Sequence, residues 1–227
     1  MRILAVDTAS RTCSVAVLED DSVMAEFTAN HRDTHSRFLM QMIDDVLAVS
    51  RFTITDMDGF ALTTGPGSFT GLRIGLSAVK GLAVGADKPV VGVSSLEALA
   101  FPFSYAHQLI CPLMDARRHE VYTACYRGGS SSLIVHTPPQ VTTPEKAVSD
   151  IKEPCIFVGD GAVAYRDRIM DIMGGQAFFA DSTHHQIRAS VVAAIAMHRF
   201  KSGDTDDASA MTPCYIRKSD AEKMIKG

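Results

Sequence analysis

No two cysteines in this chain stand at CxxC spacing, and their number is odd. The five fall at positions 13, 111, 125, 155 and 214. That pattern indicates neither a disulfide framework nor a zinc site and fits reduced thiols in the cytosol. Long hydrophobic runs are missing too. MRILAVDTAS offers a four-residue apolar run before Asp7, too short for the core of a secretory signal, and no stretch reaches the roughly 18 apolar residues of a membrane span. A soluble cytoplasmic protein is the expectation. Basic charge is scarce: 22 Lys and Arg stand against 26 Asp and Glu, for a net charge of −4. A chain that grips nucleic acid unaided needs clustered basic surface. The short patches here, Arg117-Arg118-His119 and the tail from Arg217 to Lys226, read as solvated faces. What remains is ordinary globular composition: 227 residues, 46% hydrophobic, enough for one large domain or two small ones.

The order of elements is more informative. Residues 2–7, 13–18 and 22–28 read as a three-strand meander, followed by a helix over 34–49 with Asp33 or Thr34 as its cap. GFALTTG (59–65) is a short strand, 68–86 a helix, and 88–94 a strand. The second half repeats this pattern: strand, Asp-containing turn and strand over 109–128, a strand at 132–137, CIFVGDGA (155–162) entering a glycine turn, and a helix at 190–200. Asp115 then stands where Asp7 stood, so an internal duplication is expected. This is the pattern of the actin-like, sugar kinase and Hsp70 ATPase superfamily, an α/β fold of two lobes. The expected lobes are 1–100 and 101–227, with the late helix packing back on the first. Members of that superfamily set an Asp-x-Gly turn against nucleotide phosphates; here the turn is Asp7-Thr8-Ala9-Ser10, without the glycine. Asp7 and Asp115 therefore read as hairpin-turn caps rather than phosphate or Mg²⁺ contacts.

LTTGPGSFTGLRIGLSAVKGLA (62–83) is rich in glycine, yet it matches no nucleotide or nucleophile loop. A phosphate loop needs GxxxxGK[S/T], a dinucleotide fingerprint GxGxxG and a serine elbow GxSxG; the spacing or residue type fails each. Instead Gly67, Gly71 and Gly75 recur every four residues, which makes one bare face on a helix. That face can pack on the domain's own sheet or admit another protein. On the 34–49 helix, Phe38, Leu39, Met42, Ile43, Val46 and Leu47 span an arc of roughly 200°, wider than one buried side requires. A docking surface made by these two helices is the sharper expectation.

GPGSFTGLRIG (65–75) resembles the signature of the bacterial TsaB (YeaZ) family of tRNA threonylcarbamoyladenosine biosynthesis proteins. VDTAS (6–10), THSRFLMQMID (34–44), VGVSSLEALA (91–100), MDARRHEVY (114–122), FVGDGA (157–162) and PCYIR (213–217) are similar to that family's segments as well. The resemblance implies a non-catalytic paralogue of the threonylcarbamoyltransferase TsaD. It would be a scaffold that heterodimerises with TsaD, works with the small ATPase TsaE through the complex, meets tRNA indirectly, and pairs with itself when alone. No cofactor is implied. Where TsaD carries a metal-binding HxxxH, this chain has Ser95 and Leu99, and leucine cannot ligate a metal. The docking residues implied are His35, Phe38, Leu39, Met42, Val46, Gly67, Phe69, Gly71, Arg73 and Gly75. His31 and His35, four apart, lack a third ligand, and His184-His185 read as surface. An autonomous actin-like ATPase or phosphotransferase is the alternative, and a protease reading lacks a nucleophile or zinc motif.

Overall fold

The structure is a computed structural model and describes residues 1–30, 35–129 and 132–216. His31, the expected caps Asp33 and Thr34, the side chain of His35 and the tail from Arg217 lie outside the described residues. The chain divides into two compact units. One comprises Met1–Ala98 and Ile187–Cys214, the other Leu99–Gln186 and the residues beginning at Tyr215.

In the first unit the apolar runs form β1 (Arg2–Asp7), β2 (Thr12–Glu19) and β3 (Ser22–Asn30) as an antiparallel meander. β4 (Gly59–Gly65) and β5 (Val90–Ser94) then add in parallel, giving the order β3-β2-β1-β4-β5. Alternation along the strands turns Leu4, Val6, Val15, Val17, Phe60 and Leu62 into one core, closed by α1 (Leu39–Ser50) and α2 (Phe69–Ala86). The other face, with Ala5, Asp7, Ala61 and Thr63, is covered by α7 (Ala189–Lys201), whose Ala189 N–H donates to the Ser14 hydroxyl at 3.0 Å. The β5 edge is closed by a C-terminal strap: Asp206 N–H donates to the Val90 carbonyl at 2.9 Å, and Asp206 Oδ2 accepts the Gly92 N–H at 2.8 Å.

The second unit repeats the plan. β6 (Leu109–Asp115), β7 (Val121–Gly128) and β8 (Leu133–Thr142) form a meander, with β9 (Cys155–Val158) and β10 (Ala177–Phe179) parallel, in the order β10-β9-β6-β7-β8. Read from its other edge, this is the order of the first sheet, which makes the duplication visible. Helices α4 (Pro144–Ser149), α5 (Asp160–Ala164) and α6 (Arg166–Met173) flank it. Cys111, Cys125 and Cys155 sit in this unit's core and Cys13 in the first; only Cys214 of the five thiols is exposed, and all five are free. Among the described residues no helix is long and apolar enough to cross a membrane.

The expected helix at 34–49 begins later. His35–Arg37 form a single 3₁₀ turn, and α1 starts at Leu39 with Phe38 in the N-cap position, without a side-chain capping hydrogen bond. It ends where Arg51 takes a left-handed conformation at φ 61°. Within α1, Leu39, Met42, Ile43, Val46 and Leu47 are all buried in the unit's own core. They recur at i, i+3, i+4, i+7 and i+8, an arc of roughly 140° at 3.6 residues per turn. One sheet and α2 are enough to cover it.

Candidate interaction surface on the first unit

β4 leaves the sheet at Gly65, whose φ of +120° suits glycine, and passes through a cis bond to Pro66. Ser68 then caps α2 by accepting the Gly71 N–H at 3.2 Å. This N-terminus is seated on the β1–β2 turn. Ser68 N–H donates to the Ala9 carbonyl at 2.7 Å, and the Thr8 hydroxyl donates to the Gly71 carbonyl at 2.8 Å. A Cβ at Gly67 would collide with the backbone of Ala9, and one at Gly75 with the Thr8 hydroxyl.

The space beside Gly67 and Gly75 is thus occupied by the chain's own turn, and Gly71 is buried with its carbonyl bonded to Thr8, which corrects the expectation that these glycines admit another protein. Leu39, Met42 and Val46 are corrected likewise: they are core residues, 1%, 8% and 0% exposed. The bare outward face of α2 lies on a different side. Ser77, Gly81 and Gly85 are exposed, and nothing stands within 4 Å of a Cβ built at either glycine. Spacing by four carries both stripes, so the sequence pattern does not distinguish the inner from the outer.

Between the start of α1 and the outer side of α2 runs an open groove of about 460 Å³, lined by Met40, Phe69, Arg73, Ile74, Ser77 and Ala78 among others, with the edge of Leu39 as its floor. Met40 is 48% exposed and Val49 62%; Phe38 is half-buried and packs against the core. The Arg73 guanidinium lies 3.7 Å from the Phe69 ring centroid, a cation–π contact that holds both side chains along the helix surface. Of the residues expected to dock a partner, Phe69, Arg73 and the edge of Leu39 line the groove, with Met40 and Ser77 beside them, while Phe38 and Gly67 are half-buried outside its lining.

Asp7 and Asp115 end the equivalent strands β1 and β6. Asp7 Oδ1 accepts the Ala9 N–H at 3.1 Å, and Asp115 Oδ1 accepts the Arg117 N–H at 2.8 Å. Each is a carboxylate turned on the backbone two residues ahead, as turn caps are. Their environments differ. Asp115 is exposed, whereas Asp7 is 0% exposed, takes the Thr63 hydroxyl on Oδ1 at 2.6 Å, and has no hydrogen-bond partner on Oδ2 among the described residues. Burial pushes the Asp7 carboxyl up to about 7, against the lowering effect of Thr63 and Ala9. The Cys13 thiol is pushed up to about 12 by burial and by the neighbouring Asp7.

At the place expected to correspond to a histidine pair, helix α3 (Ser95–Ala100) carries Ser95, fully buried with a hydroxyl that no described residue meets, and Leu99, 3% exposed. Of the pair expected at the surface, His184 is exposed, and His185 is half-buried, its Nδ1 accepting the Gly159 N–H at 3.1 Å and its pKa lowered by burial.

The family model described as "TsaD: tRNA N6-adenosine threonylcarbamoyltransferase" matches residues 22–225. The tRNA threonylcarbamoyladenosine biosynthesis protein TsaB of Bacillus subtilis is 32% identical over 225 residues, covering 98% of this chain and 96% of the relative. Among solved structures, YeaZ from Pseudomonas aeruginosa superposes with a TM-score of 0.81 at 27% identity, covering 94% of this chain and 99% of the other. Component A of the (R)-2-hydroxyglutaryl-CoA dehydratase of Acidaminococcus fermentans, 11% identical with a TM-score of 0.55 and covering 88% and 98%, shares the fold alone. The fold is the actin-like one.

Proposed function

The chain belongs to the TsaB (YeaZ) family, and on that premise we propose that it serves tRNA N6-threonylcarbamoyladenosine formation as an accessory subunit that docks the transferase TsaD. The observation that carries the reading is the groove beside α2. It is apolar, open, floored by the core and bordered by Ser77, beyond which Gly81 and Gly85 continue the exposed side of α2, so a partner helix can approach the α2 backbone closely. Phe69 and Arg73, locked together by their stacking, supply a rigid aromatic and cationic anchor of the kind that dominates interface energetics.

The chain itself supplies no reacting group in this reading. Ser95 and Leu99 stand in the HxxxH place, and Asp7 spends Oδ1 on its own turn. The transfer would be performed by TsaD, held in its active shape by this subunit, with TsaE engaging the pair and tRNA meeting the assembly. In the absence of TsaD the same exposed groove would pair two copies of this chain.

Reconstitution tests the assignment. TsaD, the threonylcarbamoyl donor and tRNA should form the modified nucleoside only when this chain is added, and the isolated chain should turn over no ATP. Steady ATP hydrolysis lost in Asp7→Ala would favour an autonomous actin-like ATPase instead.

A further inference from the structure

Asp7 is a titratable group for which the docking reading finds no use, and its position ties it to the docking helix. Its Oδ1 fixes the Ala9 N–H, Ala9 in turn accepts the Ser68 N–H through its carbonyl, and Thr8 between them holds the Gly71 carbonyl. The first turn of α2, which carries Phe69 and Thr70 into the groove, therefore rests on a turn organised by this one carboxyl.

Among the described residues, the surroundings of Asp7 offer its charge two hydrogen bonds and no cation. From β4 comes the Thr63 hydroxyl, and from β2 the Cys13 thiol and, directly across the ladder, Ser14. The α2 residues seated on the turn are Gly71 and Gly75. The cations of α7 and its cap are engaged elsewhere: Arg188 with Glu26, Arg199 with Asp204 and Asp206, and Lys201 with Asp21; His198 is exposed. Protonated, the carboxyl is neutral: Oδ1 keeps its two accepted bonds, and burying the unpartnered Oδ2 hydroxyl costs far less than burying a charge. Ionised, it leaves a fully buried charge with a bare oxygen, which water or another donor must reach by displacing part of the shell.

We propose that Asp7 is a proton switch for the docking surface: its ionisation loosens the β1–β2 turn beneath the α2 N-terminus and weakens capture of the partner. The upward push to about 7 sets the change near neutral pH. The link to a partner rests on the docking function proposed above; the link to the turn does not.

Two readouts separate them. In the isolated full chain, the ¹³C signal of the Asp7 carboxyl and the amide signals of Ala9 and Ser68 should shift together with one midpoint near 7. Asp7→Asn should abolish the common amide step. Thr63→Val, which removes a donor from the ionised form, should move the midpoint upward by about one pH unit. TsaD affinity, measured at pH 6 and pH 8, should fall about tenfold at the higher pH in the native chain and be nearly constant in Asp7→Asn, with TsaD's own titration common to both. Amides without a common step, or an Asp7→Asn chain with the native pH dependence of affinity, would overturn the switch. Failure to bind TsaD at either pH, with the amide step intact, would instead refute the docking reading.

Discussion

The hydroxyl of Thr8 fills the space in which a side chain at Gly75 would begin. A turn between two strands thus presses directly on the middle of an 18-residue helix, and the glycine is there to let it.

Two glycines of that helix should respond to alanine with opposite signs. Gly75→Ala must push Thr8 away and strain the bond from Thr8 to Gly71, at a cost of about 1–3 kcal/mol. Gly81→Ala meets nothing within 4 Å and should gain about 0.5–1 kcal/mol from helix propensity. Urea unfolding of the two variants checks this; equal effects would show that the stripe at 67, 71 and 75 is not the packed one.

The pH dependence of stability follows from the sign of the Asp7 shift. Its pKa in the folded chain, about 7, lies above the ordinary 3.8, so the folded state holds its proton more tightly than the unfolded one. The stabilisation is complete below 3.8, declines as pH rises through the window to about 7, and is gone above it. A rise of about three units corresponds to something on the order of 4 kcal/mol. Asp7→Asn, with no charge to bury, should flatten this decline, and thermal melts from pH 5 to 8 would show a widening advantage over the native chain.

Self-association should use the groove. The native chain alone is expected to form dimers in sedimentation, and Ser77→Glu, an exposed change on α2, should shift them to monomers with an unchanged melting temperature. Dimers that persist in Ser77→Glu would place self-contact on another face.

Much of the fold could be read directly. The apolar runs of β1 and β4 gave their limits because each is flanked by a turn residue, Asp7 or Gly65, that cannot continue the pattern. The duplication was legible through Asp7 and Asp115, which keep the same backbone bond in both halves. β8 was expected to end at 137 yet runs to Thr142, through Pro138 and Pro139. It is an edge strand, and an edge tolerates residues that lack an N–H. Which face of α1 and α2 the core covers was misread. Leu39 and Met40 are equally apolar neighbours, but 100° of helix rotation puts one in the core and the other 48% in solvent. Helical periodicity fixes relative angles and leaves the absolute orientation to the sheet beneath.

The central claim is that the groove between α1 and α2 receives TsaD, and Met40→Asp tests it most directly. Met40 is exposed, so the charge should leave the chain folded, with a melting temperature close to that of the native protein. Co-expressed with tagged TsaD, the native chain should co-purify in stoichiometric amount. Met40→Asp should be lost from the eluate, and modification of tRNA should fall with it. Recovery of folded Met40→Asp with TsaD at the native ratio would contradict the assignment of the groove.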